Sequence, residues 1–151
     1  MEIKDILLFP YTFEQRLKFV VENNHKKGYE IKEENNNLVA YGESVLEKEQ
    51  REKEEEIKRI KMLKLTRGDV FRGLLQAKGI TRAMLRAKIE EMPETTPEQA
   101  VAKELALIDF DEALDFYRGN SLVDVIGEQL NITSEQLTQF FETNDYTKLI
   151  G

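Results

Sequence analysis

The chain has 151 residues but no cysteine, no tryptophan and only one histidine. Without cysteine it can form neither a disulfide framework nor a thiolate metal site, which fits a reducing compartment. The histidine, His25, stands between Asn24 and Lys26 and is expected to face solvent. A nucleophile paired with histidine and a histidine-rich metal cluster are therefore both unexpected. We predict that the protein is not an enzyme and has no catalytic residue, metal or cofactor.

Long hydrophobic runs are absent as well. The apolar stretch at residues 6–9 is far too short to span a bilayer, and no basic leader precedes it. The expected location is the cytoplasm, with no membrane partner. Hydrophobic residues make up 40% of the chain and charged residues 34%, which predicts one or two compact parts with a highly charged surface.

Charge is unevenly distributed along the chain. Residues 1–65 hold 14 acids and 13 bases, residues 66–88 hold 1 acid and 6 bases, and residues 89–151 hold 14 acids and 3 bases. The basic and acidic helices either pack beside each other or leave the basic segment as a docking face. The net charge of −7 argues against general affinity for nucleic acid.

Residues 1–42 combine helix and strand signals and predict a small α+β N-terminal part. Thr12, with Gln15 three residues later, has the pattern of a capping box. The apolar residues expected on the buried face of the helix that follows are Phe13, Leu17, Val20 and Val21. Apolar residues then flank an asparagine-rich stretch at residues 33–37, which predicts a β-hairpin. A third strand near residues 3–9 would help to bury one face.

Residues 43–64 predict a long, charged connecting helix. Opposite charges recur four residues apart, at Glu47 and Arg51, Glu49 and Lys53, Glu54 and Lys58, and Glu55 and Arg59. Because apolar residues vanish from the middle of this segment, no continuous heptad pattern exists. We predict a solvated helix between two domains, with a stalk for self-association as the alternative.

Residues 65–151 predict a C-terminal bundle of about five short helices. The expected starts are marked by capping residues at Thr66, Thr81, Thr96, Ser121 and Thr133. The expected ends are marked by Gly79, Pro93, Gly119 and Asn131. The protein is therefore predicted to be mostly α.

Apolar periodicity predicts the core of this C-terminal domain. The expected core residues are Val70, Phe71, Leu74, Leu75, Leu85, Ile89, Val101, Leu105, Ile108, Leu114, Tyr117, Val123, Ile126, Leu130, Leu137, Phe140 and Phe141. The segment AKGIT at residues 77–81 also matches QLNIT at residues 129–133, and each ends one helix and caps the next. The two segments are only five residues long and are identical at two positions, Ile and Thr, which leaves a duplication open.

The strongest candidate site is the helical hairpin at residues 66–92. Its basic residues form what we call the basic patch, which is predicted to bind a partner: Arg67, Arg72, Lys78, Arg82, Arg86 and Lys88. In helix-turn-helix proteins the start of the second helix meets DNA bases, and Gly79 and Leu85 fit the turn and a buried position of that motif. Lys88 stands where a buried residue is expected. The hairpin also resembles a SAP-type DNA-binding module, although a plain antiparallel helix pair gives the same pattern.

The acidic segment DFDEALD at residues 109–115 is a weaker candidate. Asp111 and Asp115 are four residues apart and could share a helix face that holds a divalent ion. Helical carboxylate sites usually add a Glu-x-x-His element, which this chain lacks. We therefore interpret the segment as a solvated acidic face.

Two stretches resemble phage proteins. LTRGDVFRGLLQAKGITRAMLRAKIEEMP with ALIDFDEALDFYRGNSLVDVIGEQLNITSEQLTQFFETNDY resembles small uncharacterised prophage proteins of Gram-positive bacteria, and GYEIKEENNNLVAYG resembles tail-region phage proteins. The layout of a small mixed domain, a charged helix and a helical end is also similar to phage tail fibre assembly chaperones. The resemblance implies a viral accessory function, in the host cytoplasm or associated with the virion.

The sequence thus predicts a phage-encoded accessory or assembly protein that contacts other proteins. A phage structural protein or a second copy of the chain would be the partner, and nucleic acid is less favoured. The alternative is a DNA-binding regulator that uses the hairpin at residues 66–92.

Overall fold

The computed structural model describes all residues, 1–151, and confirms a mostly helical protein with a small sheet near the N-terminus. The chain forms two compact units, Met1–Glu55 and Glu56–Gly151. The first contains β1 (Glu2–Leu7), α1 (Phe13–Val20), a π-helical turn (Val21–Lys26), β2 (Glu30–Glu34) and β3 (Asn37–Gly42). Helix α2 (Val45–Lys61) begins in the first unit and ends in the second.

The three strands of the first unit form an antiparallel sheet in the order β1-β3-β2. The hairpin and the third strand predicted from the sequence are both present. Asn35 and Asn36 form the two-residue turn between β2 and β3 with φ angles of 50° and 66°, which asparagine tolerates better than most residues. The central strand β3 provides the buried residues Leu38 and Ala40.

Helix α1 begins as predicted but buries a different face. The Thr12 hydroxyl accepts a hydrogen bond from the Gln15 backbone, and the Gln15 side chain closes the capping box. Of the four residues predicted to be buried, Val20 and Val21 are partly buried, but Phe13 and Leu17 are 81% and 53% exposed. The buried residue of the helix is Phe19, which packs against the sheet. The prediction of the face was wrong because two adjacent faces of this short helix carry apolar residues, and contact with β3 selects between them.

Helix α2 is the charged helix predicted from the sequence. It has no buried residue. Its ion pairs include Lys48 with Glu52 and Arg51 with Glu55, whereas none of the four predicted pairs forms. Pairs of this exposed kind contribute only a few tenths of a kcal/mol, about 0.3–0.5, so intrinsic helix propensity supports the segment as well.

The second unit contains five complete helices and two short strands. Its elements after α2 are β4 (Lys64–Thr66), α3 (Arg67–Lys78), α4 (Arg82–Glu90), α5 (Pro97–Glu112), β5 (Asp115–Tyr117), α6 (Ser121–Leu130), α7 (Ser134–Thr143) and a final 3₁₀ turn (Tyr146–Leu149). The five helices agree with the predicted number, while the two strands were not predicted.

The second unit contains two repeats of strand, helix and helix, which are separated by α5. Strands β4 and β5 pair antiparallel, with Leu65 opposite Phe116. The first residue after each strand is an arginine, and its backbone N–H donates across the pair: Arg67 to the Leu114 carbonyl at 2.9 Å, and Arg118 to the Leu63 carbonyl at 2.8 Å. Each repeat then continues into a helix, a left-handed residue, the dipeptide Ile-Thr and a second helix. The match of AKGIT with QLNIT is therefore part of a larger structural repeat.

The core of the second unit differs from the predicted one mainly in α5 and β5. Most predicted core residues in the other helices are buried or partly buried, but the following are exposed: Leu75, Val101, Leu105, Ile108, Leu114 and Tyr117. Helix α5 buries Ala106 and Phe110 instead, and β5 buries Phe116. The prediction failed in α5 because this helix has apolar residues on all sides, so periodicity does not identify the buried face.

Most of the predicted helix ends are also found. Thr66, Thr81, Thr96 and Thr133 each accept a backbone hydrogen bond as N-caps. The exceptions lie after β5. Helix α6 is capped by Asn120 and not by Ser121, and Gly119 follows a strand and does not end a helix. Because residues 115–117 pair with β4, the predicted continuation of helix into this segment is wrong.

Candidate functional site

Three of the six basic-patch residues line one groove where α3 and α4 meet. Its volume is about 430 Å³. We call it the arginine groove, and it is lined by Arg67, Gly68, Phe71, Arg72, Leu75, Ile80, Thr81 and Arg82. No acidic residue is among them. The groove therefore combines three guanidinium groups with apolar side chains.

Local sequence signals form the hairpin that creates this groove. Thr66 caps the start of α3, and Gly79, with φ of 68°, ends it in a left-handed conformation that costs glycine little. Thr81 then caps α4 by accepting a hydrogen bond from the Met84 N–H at 3.2 Å. The first turn of α4 consequently lies beside α3.

Arg67 lies between the groove and the end of α5. Its Nη1 donates to the backbone carbonyls of Asp111, at 2.8 Å, and Ala113, at 3.4 Å. A cation is favourable at these positions because the last carbonyls of a helix carry partial negative charge. The guanidinium also lies 5.2 Å from the centre of the Phe71 ring and 5.7 Å from that of Phe110. Arg67 has no carboxylate partner.

Arg82 contacts the same aromatic ring from the first turn of α4. Its guanidinium carbon is 5.9 Å from the centre of Phe71. Arg82 takes part in no ion pair of the chain, and neither does Arg67. Phe71 therefore lies within 6 Å of two cations that have no acidic partner, an arrangement in which a negatively charged ligand would be attracted.

The third arginine of the groove, Arg72, is partly neutralised. Its guanidinium pairs with Asp69 one turn earlier in α3, and its side chain is 70% exposed. The hydrogen bonds from the Thr66 hydroxyl and from Arg72 hold the pKa of Asp69 below its usual range. Such an exposed pair is weak enough for Arg72 to exchange its partner.

Arg86 lies outside the groove and is paired within the chain. Its Nε and Nη2 donate to the two carboxylate oxygens of Asp111 at 3.2 and 2.9 Å, and it also contacts Glu90. The hydrogen bond from Arg86 lowers the pKa of Asp111, and the same bond raises the pKa of Arg86. At this position the basic hairpin and the acidic helix neutralise each other.

The remaining members of the basic patch do not join the groove. Lys78 is exposed in the last turn of α3, and Lys88 is partly buried in α4. Neither forms an ion pair. The basic patch is therefore one site of three arginines together with three separate cations.

Sequence reasoning missed a second arginine site, which we call the Arg118 cluster. The Arg118 side chain is 7% exposed, and its Nη1 donates to Asp124 at 2.8 Å. Its other donors reach the Thr138 hydroxyl at 3.1 Å and the Ser134 hydroxyl and carbonyl at 2.6 and 3.2 Å. Each of the three nitrogens of this guanidinium thus donates at least one hydrogen bond. One sequence signal relates Arg118 to Arg67. Each begins an Arg-Gly dipeptide, at residues 67–68 and 118–119, two positions after a buried apolar residue, Leu65 or Phe116.

Helix α5 exposes an apolar stripe at helical spacing. Val101, Leu105 and Ile108 are 59%, 56% and 47% exposed. Their spacing of four and three residues places them on one face of the helix. Apolar side chains grouped on a surface are typical of sites of protein contact.

The acidic segment does not form the arrangement considered for a metal. Asp111 lies in α5 and is bound to Arg86, whereas Asp115 lies in β5, so the two carboxylates do not share a helix face. No group of three or more potential metal ligands is found. His25 is exposed, as expected from its neighbours.

None of the helices combines the length and the apolar character needed to cross a bilayer. No protein family, curated protein or solved structure matches the chain.

Proposed function

We propose that the protein is a non-enzymatic accessory or assembly protein that acts by binding other proteins. The observation that carries this proposal is the arginine groove, in which Arg67 and Arg82 have no acidic partner and flank the aromatic ring of Phe71. Arginine and aromatic side chains are enriched where protein partners bind most strongly. The exposed apolar stripe of α5 offers further surface of the same kind.

The phage origin is part of this proposal and depends on the resemblance of the sequence to prophage proteins. Its partner would be a phage structural protein or a second copy of the chain. The position of the gene tests the origin directly. A place among tail and lysis genes supports an assembly role, whereas a place among early regulators supports the alternative.

The alternative function is a DNA-binding regulator. It is favoured by one observation, the hairpin of α3 and α4. This hairpin has a left-handed glycine in its turn, and Leu85 of α4 is buried. Two observations weigh against it. Arg86 is held by Asp111, and the chain carries a net charge of −7, which opposes approach of a phosphate backbone.

Affinity capture combined with a DNA titration distinguishes the two functions. The tagged full chain is incubated with nuclease-treated extract of the source cells, and duplex DNA is titrated separately at low and physiological salt. We expect a protein to be retained at a defined stoichiometry, and DNA binding to be absent at physiological salt. Retention of no protein, together with salt-sensitive DNA binding that Arg82→Ala removes, would contradict the proposal.

A further inference from the structure

The two repeats of the second unit place different side chains around equivalent arginines. Arg67 and Arg118 correspond because each directly follows its strand and donates its backbone N–H across the β4–β5 pair. The left-handed residues Gly79 and Asn131 also correspond, since each ends the first helix of its repeat. Residues 68–78 separate the two landmarks in the first repeat and residues 119–130 in the second, so the second repeat has one additional residue after its arginine. Counted back and forward from the left-handed residue, the two helical hairpins align residue by residue.

Alignment on the left-handed residues assigns a counterpart to each partner of Arg118. Three side chains satisfy Arg118, and in the first repeat each is replaced by arginine. Asp124 corresponds to Arg72, Ser134 to Arg82 and Thr138 to Arg86. At the positions where the second repeat has a carboxylate and two hydroxyl groups, the first repeat therefore has three guanidinium groups.

The consequence is an arginine environment that lacks its anion. Arg118 is buried and donates hydrogen bonds from all three of its nitrogens, but Arg67 is left with two backbone carbonyls and two aromatic rings. Asp111 neutralises Arg86 and Asp69 neutralises Arg72, so the deficit falls on Arg67 and Arg82, which border the groove.

We infer that the arginine groove binds an acidic segment of a partner protein, with one carboxylate in the place that Asp124 holds beside Arg118 in the second repeat. This inference rests on the proposed function and names the chemistry of the partner. Arg67 and Arg82 bind the carboxylate, and planar guanidinium groups suit it because they offer paired N–H donors. Phe71, Leu75 and Ile80 contact an apolar side chain beside it.

A protein carboxylate fits this groove better than a nucleic acid. The Arg118 cluster shows that the fold accommodates one carboxylate per guanidinium site, and the groove of about 430 Å³ has room for a few side chains. A duplex instead needs cations spread along its phosphates. Here Asp69, Glu90 and Asp111 stand beside the outer arginines and would repel such a backbone.

The test uses the full chain and two short synthetic peptides. In one, aspartate alternates with leucine, and in the other, asparagine replaces each aspartate. Nuclear magnetic resonance follows the backbone and Nε signals of Arg67 and Arg82 during each titration. We expect saturable shifts with the aspartate peptide only. Arg82→Ala should weaken binding about tenfold, as expected for the loss of a charge-assisted hydrogen bond, whereas Lys78→Ala, at an exposed lysine outside the groove, should leave it unchanged.

A second variant tests the relation between the repeats. Arg72→Asp returns to the first repeat the carboxylate that the second repeat has, and it should occupy Arg67 and abolish binding of the aspartate peptide. Arg72→Ala should weaken binding only in part. Circular dichroism and cooperative melting verify that each variant is folded.

The remaining outcomes separate this inference from the proposed function. Equal binding of both peptides, or undiminished binding by Arg72→Asp, overturns the inference. So does saturation of the same signals by duplex DNA at physiological salt, or by a second copy of the chain as concentration rises. If a protein captured from extract binds the wild type, Arg82→Ala and Arg72→Asp equally, the proposed function stands and the inference falls.

Discussion

Arg67 and Arg118 occupy equivalent positions in two repeats of one domain, yet their surroundings are opposite in charge. Around Arg118 the hairpin supplies a carboxylate and two hydroxyl groups, and the side chain is buried. Around Arg67 the hairpin of the first repeat supplies Arg72 and Arg82, and the arginine groove is open beside the Arg67 side chain. Both arginines follow paired strands and precede a helical hairpin, but α3 begins at Arg67 itself whereas α6 begins three residues after Arg118. The side chains that the two hairpins place around the arginines account for the difference in charge.

On this difference we base the proposal of a structural role for Arg118 and a binding role for Arg67. A buried cation is stable only when its hydrogen bonds and charge are satisfied, as they are at Arg118. A cation cluster without an anion is less stable and persists where the missing anion comes from a ligand. The stability of the domain should therefore depend strongly on the Arg118 cluster and weakly on the arginine groove.

The largest expected effect comes from removing each arginine in turn. Arg118→Ala should lower the free energy of unfolding by about 3 kcal/mol, because it eliminates four hydrogen bonds of a buried guanidinium. Arg67→Ala should cost about 1 kcal/mol, since only bonds to backbone carbonyls and contacts with two rings are removed. Urea denaturation measures both, and equal losses would mean that the two sites do not differ in role.

A smaller effect is expected where the repeats pack together. A Cβ atom added at Gly73 of the first repeat would lie 2.4 Å from the Phe140 ring of the second. Overpacking costs about 1–3 kcal/mol, and the better helix propensity of alanine returns about 1, so Gly73→Ala should destabilise the domain by up to about 2 kcal/mol.

Gly68→Ala is the matched control for this contact. Its added Cβ would meet only the flexible end of Arg72, at 3.4 Å, and the same increase in propensity should leave stability unchanged or slightly higher. If thermal melting shows that both alanine variants behave alike, the contact between Gly73 and Phe140 does not limit packing of the repeats.

Local features of this fold could be predicted from the sequence, and non-local ones could not. The caps at Thr12, Thr81 and Thr133 were predicted correctly because a cap involves residues only three positions apart. Strands β4 and β5 were missed because each has three residues and pairs with a segment about fifty positions away. The buried face of α5 was missed for a related reason, since only its neighbours decide which apolar face is covered.

The candidate site was predicted in composition but not in arrangement. The six basic residues were recognised as a group, yet the groove selects three of them. The pairing of Arg86 with Asp111 joins positions 25 residues apart and could not be read from the hairpin alone. Arg118 was missed because a single arginine in an acidic segment gives no sign of the hydroxyl groups that the fold places around it.

A still smaller effect concerns the cation outside the groove, Arg86. Its hydrogen bond to Asp111 lowers the pKa of that carboxyl in the folded state. The stabilisation is therefore complete above the ordinary pKa of aspartate and is lost as pH falls through the lowered value. Arg86→Ala should melt slightly below the wild type at neutral pH, and the gap should close in acid.

The control for this pH dependence is Arg82→Ala, which removes an arginine without a carboxylate partner. Its melting difference from the wild type should not change over the same acid range. A gap for Arg86→Ala that is constant with pH would mean that Asp111 is not the group that Arg86 stabilises.

The relation between the two repeats is tested most directly by a double-mutant cycle of Arg67→Ala and Arg72→Asp, measured by urea unfolding. The cycle cancels the repulsion between the new carboxylate and Asp69, because that repulsion is present with and without Arg67. If the first repeat is the open form of the Arg118 cluster, Arg67→Ala should cost about 1 kcal/mol more in the Arg72→Asp background than in the wild type. An equal or smaller cost in that background would contradict the equivalence of the two sites.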